Sequence, residues 1–117
     1  MSLIQISHVN QDRPVTVFRL QERISLENFA SLESITKAEY ENGMRRLVVD
    51  LGETPSISSI GVRAIVVMHK ILAADGGNPL RIAAAPPPVR DVLQIAGITQ
   101  FIELHDTVDQ ASLSFER

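Results

Sequence analysis

Hydrophobic positions along this chain change their period several times, and each change marks an element. Ile4 and Ile6 alternate with polar neighbours ahead of Ser7 and His8, which predicts a short strand over Ile4 to Val9. Gln11-Asp12-Arg13-Pro14 reads as a turn. Val15 to Leu20 follows, with Val15, Val17 and Arg19 on one face and Thr16, Phe18 and Leu20 on the other. β-Branched residues either side of a hairpin-length connection predict a strand pair. The period then lengthens. Ser25 opens a helix to about Asn42, with Glu27 in the first turn, where the helix dipole favours an acid. Leu26, Phe29, Leu32 and Tyr40 share its apolar face, Glu33, Lys37 and Glu41 its solvated one, and Gly43 is its stop.

Leu47-Val48-Val49-Asp50-Leu51 carries four aliphatic residues in five positions, the signature of a central strand covered on both faces. A loop and a second helix follow, up to the breaker cluster Asp75-Gly76-Gly77-Asn78-Pro79. Leu80 to Ala84 is another short buried strand. Pro88 suits the first position of a helix, Val89, Val92, Leu93 and Ala96 repeat at helical spacing, and Gly97 closes it. Gln100 to Leu104 gives a last strand, and Thr107 to Leu113 a last helical segment. Strand–helix–strand crossovers imply parallel strands with helices packed on the sheet. The expectation is one α/β domain over residues 1–117, with a mixed, mostly parallel sheet and about four helices.

The stretch Thr54 to Leu72 is the most informative. It begins as a polar loop containing Pro55, Ser58 and Ser59. It continues as a helix that is apolar nearly all round, interrupted by Arg63, His69 and Lys70. At 100° per residue Ser59, Arg63, Val66 and Lys70 fall on one side. A mostly buried helix with one narrow mixed stripe shows a single face to something else, while Val67 is expected in the core.

Composition removes several function classes. Eleven basic against 14 acidic residues give a net charge of −3 with no basic block, which disfavours nucleic acid as a partner. The absence of cysteine excludes disulfides, thiol catalysis and cysteine-ligated zinc. His8, His69 and His105 stand far apart, at no metal-ligand spacing. The glycines fit neither phosphate-loop pattern, so no cofactor is expected. The opening stretch lacks the pattern of a secretory signal, and no apolar run reaches the roughly 18 residues of a membrane span. A soluble, cytoplasmic protein without membrane insertion is expected.

Two uses are open to the paired serines. One is an N-cap, in which a hydroxyl accepts from first-turn N–H groups. The other is phosphorylation of Ser59, where the helix N-terminus favours negative charge and Arg63, four residues on, could reach back. A serine nucleophile would need His105 or Asp50 brought to Ser59 by folding, and the sequence carries no hydrolase motif. Asp50 ends the central strand, where open α/β sheets place ligands, or where an acid caps a turn.

The order of elements, with LVVDL, the ISSIGVRAIV run and VRDVLQIAGI, resembles the STAS family of sulfate transporter and anti-sigma factor antagonist domains, from about Val15 to Leu113. The family motif is an apolar residue followed by Asp-Ser-Ser-Gly or a variant. Here Ile57-Ser58-Ser59-Ile60-Gly61 occupies those places; aligned on Gly61, Ser59 matches the serine phosphorylated in anti-anti-sigma proteins, and Ser58 stands where aspartate is usual. The resemblance implies a STAS-like fold and a non-enzymatic partner switch. The unphosphorylated protein binds an anti-sigma factor, a serine kinase of histidine-kinase-like ATPase fold. Phosphorylation breaks the complex and a phosphatase restores it. Ser58, Ser59, Arg63, Val66 and Lys70 would be the partner-binding residues, and Asp50 a loop or ligand residue. The resemblance also admits a constitutive STAS subunit of a signalling scaffold or lipid-transport complex, without a phosphate switch.

Overall fold

The computed structural model describes residues 3–10 and 13–116, so Gln11 and Asp12 of the expected turn lie outside the described residues. Strands β1 (Ile4–Asn10) and β2 (Pro14–Leu20) pair antiparallel, with Ile4 opposite Leu20 and Asn10 opposite Pro14. Then come helix α1 (Phe29–Glu41), strand β3 (Leu47–Asp50), helix α2 (Ser59–Leu72), strand β4 (Leu80–Ala83), helix α3 (Pro87–Ile95), strand β5 (Glu103–His105) and helix α4 (Val108–Leu113). The sheet runs β1-β2-β3-β4-β5, and every pairing after the first is parallel. This is the mixed, mostly parallel α/β architecture with four α-helices that the periodicity implied.

The strand order explains the layering. Each parallel crossover advances by one strand in the same direction, and a common handedness places all three crossover helices on the same face. There Phe18, Leu20, Leu47, Val49, Leu80 and Ile82 pack against Leu32 of α1, Ile65, Met68 and Leu72 of α2, and Val89 and Leu93 of α3. Helix α4 follows the last strand and turns to the opposite face, where Val15, Val17, Val48 and Ala83 meet Ala111 and Phe115. The two sides of β2 were legible from its alternation alone. All four residues of β3 are buried.

Several boundaries differ from expectation, each for a local reason. Helix α1 begins at Phe29 rather than Ser25. The Ser25 carbonyl accepts from the N–H groups of Asn28 and Phe29, and the Ser25 N–H donates to Asn28 Oδ1 at 2.8 Å, which closes a separate turn. Leu26 sits on that turn, 78% exposed and off the core face assigned to it. Helix α3 starts one residue early, with Pro87 and Pro88 both in its first turn. Gly97, at φ +81°, ends the α3 region and starts a 3-10 turn over Ile98–Gln100, so the last strand begins only at Glu103. Thr107 caps α4 by accepting from the Gln110 N–H at 3.1 Å.

A buried cation holds the C-terminal segment. Arg81 of β4 is 7% exposed and lies on the α4 face. Its Nε donates to Ser114 Oγ at 2.7 Å, its Nη1 to the Asn78 carbonyl at 2.6 Å, and its guanidinium stacks 4.2 Å from the Phe115 ring centroid. Glu103, its neighbour on β5, stands 3.5 Å away. Arg81→Met keeps most of the aliphatic bulk and deletes the charge. It is expected to cost about 2–3 kcal/mol in urea unfolding. Amide exchange should rise over residues 108–116 before it rises in α2.

Candidate docking and modification site

The β3–α2 connection leaves the sheet at its C-terminal edge, and two contacts fix its path. Asp50, 4% exposed, uses both carboxylate oxygens: Arg19 Nε donates to Oδ2 at 3.1 Å and the Gly52 N–H donates to Oδ1 at 2.9 Å. The Thr54 N–H then donates to the Leu51 carbonyl, which closes the turn. Ile57 is the second anchor. It is buried against Gly61 so closely that a Cβ at position 61 would lie 2.5 Å from Ile57 Cγ1. The same position approaches Ile24 at 3.8 Å, joining the segment before α1 to the first turn of α2. With Ile57 and Gly61 both turned inward, Ser59 between them is carried to the surface, while Ile60 packs on the core.

Ser58 takes the N-cap position by its backbone, at φ −103° and ψ 176°, and its carbonyl accepts from the Val62 N–H at 3.0 Å. Its side chain makes no cap hydrogen bond. The capping use of these hydroxyls is therefore not realised. Ser59 is the first helical residue, exposed, and its hydroxyl has no hydrogen-bond partner among the described residues.

The expected stripe is assembled as a surface. Ser59, Arg63 and Lys70 are exposed, and Val66 is half-buried beneath them, packed on the large core. Val67 departs from its assignment to the core: it is half-exposed and joins neither cluster. Arg63 makes no ion pair among the described residues, and its guanidinium lies 6.0 Å from the Phe29 ring centroid. His69 meets Phe101 in a tilted ring contact with 5.3 Å between centroids, and burial pushes its imidazole below the ordinary pKa. It adds no positive charge to the stripe near neutral pH.

Asp50 is not part of this surface. In register with Arg19 and Ala83, it points to the α4 face, where it lines a depression of about 170 Å³ with Gln5, Ser7, Val17 and Val108. His105 pairs with Glu103 at 3.0 Å on β5. Neither is brought to Ser59 as a base. Among the described residues no helix is long and apolar enough to cross a membrane, and no group of three or more His, Asp or Glu is placed to hold a metal.

The sequence reading missed an apolar groove of about 280 Å³ between α2 and α3, lined by Ser59, Val62, Val92, Ile95 and Ala96. Ile95 is 87% exposed. Of the residues that repeat at helical spacing, Val89 and Leu93 are buried, Val92 is half-buried against the core and Ala96 is exposed. The missed signal was a surplus. Val92, Ile95 and Ala96 repeat at three and four residues and form a second apolar stripe on a nine-residue helix that needs only one.

The family model described as the STAS domain matches residues 7–111. BtrV of Bordetella bronchiseptica, provisionally named an anti-sigma factor antagonist, is 31% identical over 97 residues, covering 83% of this chain and 83% of BtrV. The crystal structure of a provisional anti-sigma factor antagonist from Thermotoga maritima has a TM-score of 0.86 at 20% identity, covering 97% of this chain and 95% of that one. The Bacillus cell fate determinant SpoIIAA in its phosphorylated form has a TM-score of 0.71 at 16% identity, covering 97% of this chain and 99% of that one. The two structural likenesses establish a shared fold.

The Ile57–Gly61 contact has a measurable consequence. Gly61→Ala gains about 1 kcal/mol of helix propensity. It must also displace Ile57, and overpacking of that kind costs roughly 1–3 kcal/mol. A net loss of about 1 kcal/mol is expected in urea unfolding. The double variant with Ile57→Ala should lose less than the sum of the single losses, and strict additivity would deny the contact.

Proposed function

This chain belongs to the STAS domain family, and from that premise we propose that it acts as an anti-sigma factor antagonist switched by phosphorylation of Ser59. In this reading it is a non-enzymatic binding domain. It docks on an anti-sigma factor through the stripe Ser58, Ser59, Arg63, Val66 and Lys70 and the apolar groove beside it. The partner is a serine kinase of histidine-kinase-like ATPase fold, which transfers the γ-phosphoryl group of ATP to Ser59 Oγ, releases ADP and takes up the hydroxyl proton. A phosphatase restores the hydroxyl.

The observation that carries the reading is the position of one oxygen. The Ser59 hydroxyl is exposed, unpaired among the described residues, and on the rim of a groove whose other lining residues are Val62, Val92, Ile95 and Ala96. A partner side chain can cover a neutral hydroxyl at small cost. Phosphate brings roughly two negative charges to the same place. Desolvating such charge costs several kcal/mol, more than a few apolar contacts return. The fold itself is spared, because the group faces solvent.

A second reading, the constitutive subunit of a scaffold or lipid-transport complex, draws on Ser58, which stands where the family motif usually has aspartate. The two readings separate on kinase treatment. Incubation with the cognate kinase and ATP is expected to add one phosphate, located at Ser59 by mass spectrometry. Ser59→Asp should raise the Kd for the unphosphorylated partner at least about tenfold, or ~1.4 kcal/mol. Ser59→Ala should bind normally and resist the kinase. An unmodified protein whose two variants bind equally would favour the constitutive subunit.

A further inference from the structure

Ser59 and Arg63 stand one helical turn apart on α2, an i,i+4 spacing that places their Cβ atoms about 5–6 Å from each other. Arg63 has no carboxylate partner among the described residues; its guanidinium rests over Phe29 at 6.0 Å. We infer that Arg63 is the internal counter-ion of a phosphate on Ser59, so that modification draws the guanidinium off the Phe29 ring and onto the phosphate oxygens. This rests on the reading of Ser59 as the modified residue, and it assigns Arg63 a second state that docking alone does not require.

The competition favours the phosphate. A separation of 6.0 Å is the outer limit at which a ring face attracts a cation appreciably, and Arg63 is exposed, so water weakens the contact further. A phosphate offers three acceptor oxygens, and the guanidinium fork can engage two at once. The acid precedes the base along the helix, which is the favourable order for an i,i+4 pair. The unmodified Ser59 hydroxyl, being neutral, gives Arg63 no reason to leave the ring. Modification therefore changes the surface in two ways: a dianion appears, and the cation beside it is withdrawn from any partner while one face of Phe29 is uncovered.

The test does not depend on a kinase. Phosphoserine is incorporated at position 59 during translation, and phosphorus NMR follows its second ionisation in the full chain, with circular dichroism verifying that each variant is folded. The second pKa is expected to lie below the ordinary value of about 6 by roughly 0.4 unit. It should rise toward the ordinary value in Arg63→Gln, where only the helix N-terminus still favours the dianion, and lie between parent and Arg63→Gln in Arg63→Lys, which keeps the charge but loses the fork. The Phe29 ring protons should shift on phosphorylation in the parent chain and not in Arg63→Gln. Equal second pKa values in the parent and in Arg63→Gln overturn the inference. A kinase that leaves Ser59 untouched while the pKa pattern holds removes the proposed function and leaves the Ser59–Arg63 pairing standing.

Discussion

A strand with every side chain shut away from water must be covered twice, and β3 imposes that condition on the whole chain. Leu47 and Val49 require a layer on one side, while Val48 and Asp50 require one on the other. Three crossover helices supply the first layer because strand order and sequence order coincide. The last helix and the residues after it supply the second. The place where β3 ends, at the C-terminal edge of the parallel strands, then decides where the loop to α2 emerges.

Several buried polar groups of the frame are answered inside the protein, whereas the Ser59 hydroxyl is left to solvent. Asp50 satisfies both oxygens on Arg19 and Gly52, Arg81 is held by Ser114 and Asn78, and Thr36 donates to the Leu32 carbonyl at 2.8 Å within α1. Each would be costly to leave unpaired at its depth. Ser59 is under no such obligation, because water reaches it. It neither caps nor carries a core contact, and the packing beside it is supplied by the close approach of Ile57 to Gly61.

Much of this was legible in the residues. The alternation of VTVFRL sorted Val15 and Val17 from Phe18 and Leu20, because a strand has one period and two faces. LVVD declared its own burial by having no polar side until its last residue. The stripe of Ser59, Arg63, Val66 and Lys70 followed from helical geometry alone. Failures came where a local hydrogen bond outweighed the pattern, as at Ser25, whose pairing with Asn28 makes a turn where a helix start was expected. They also came where apolar character was taken to mean burial, as for Leu26 and Val67. An apolar residue at a surface reads the same along the chain as one in the core, and the groove beside Ser59 became visible only when α3 was laid against α2.

The two apolar clusters share no residue, and the sheet separates them. Volume can be traded among Val15, Val48, Ala111 and Phe115 without shifting the seat of α2. The side beneath α4 thus packs apart from the helix layer in front and meets it through Asp50, whose carboxylate holds the start of the loop to α2. A sheet clothed in two separate layers confines most repacking to the layer in which it occurs.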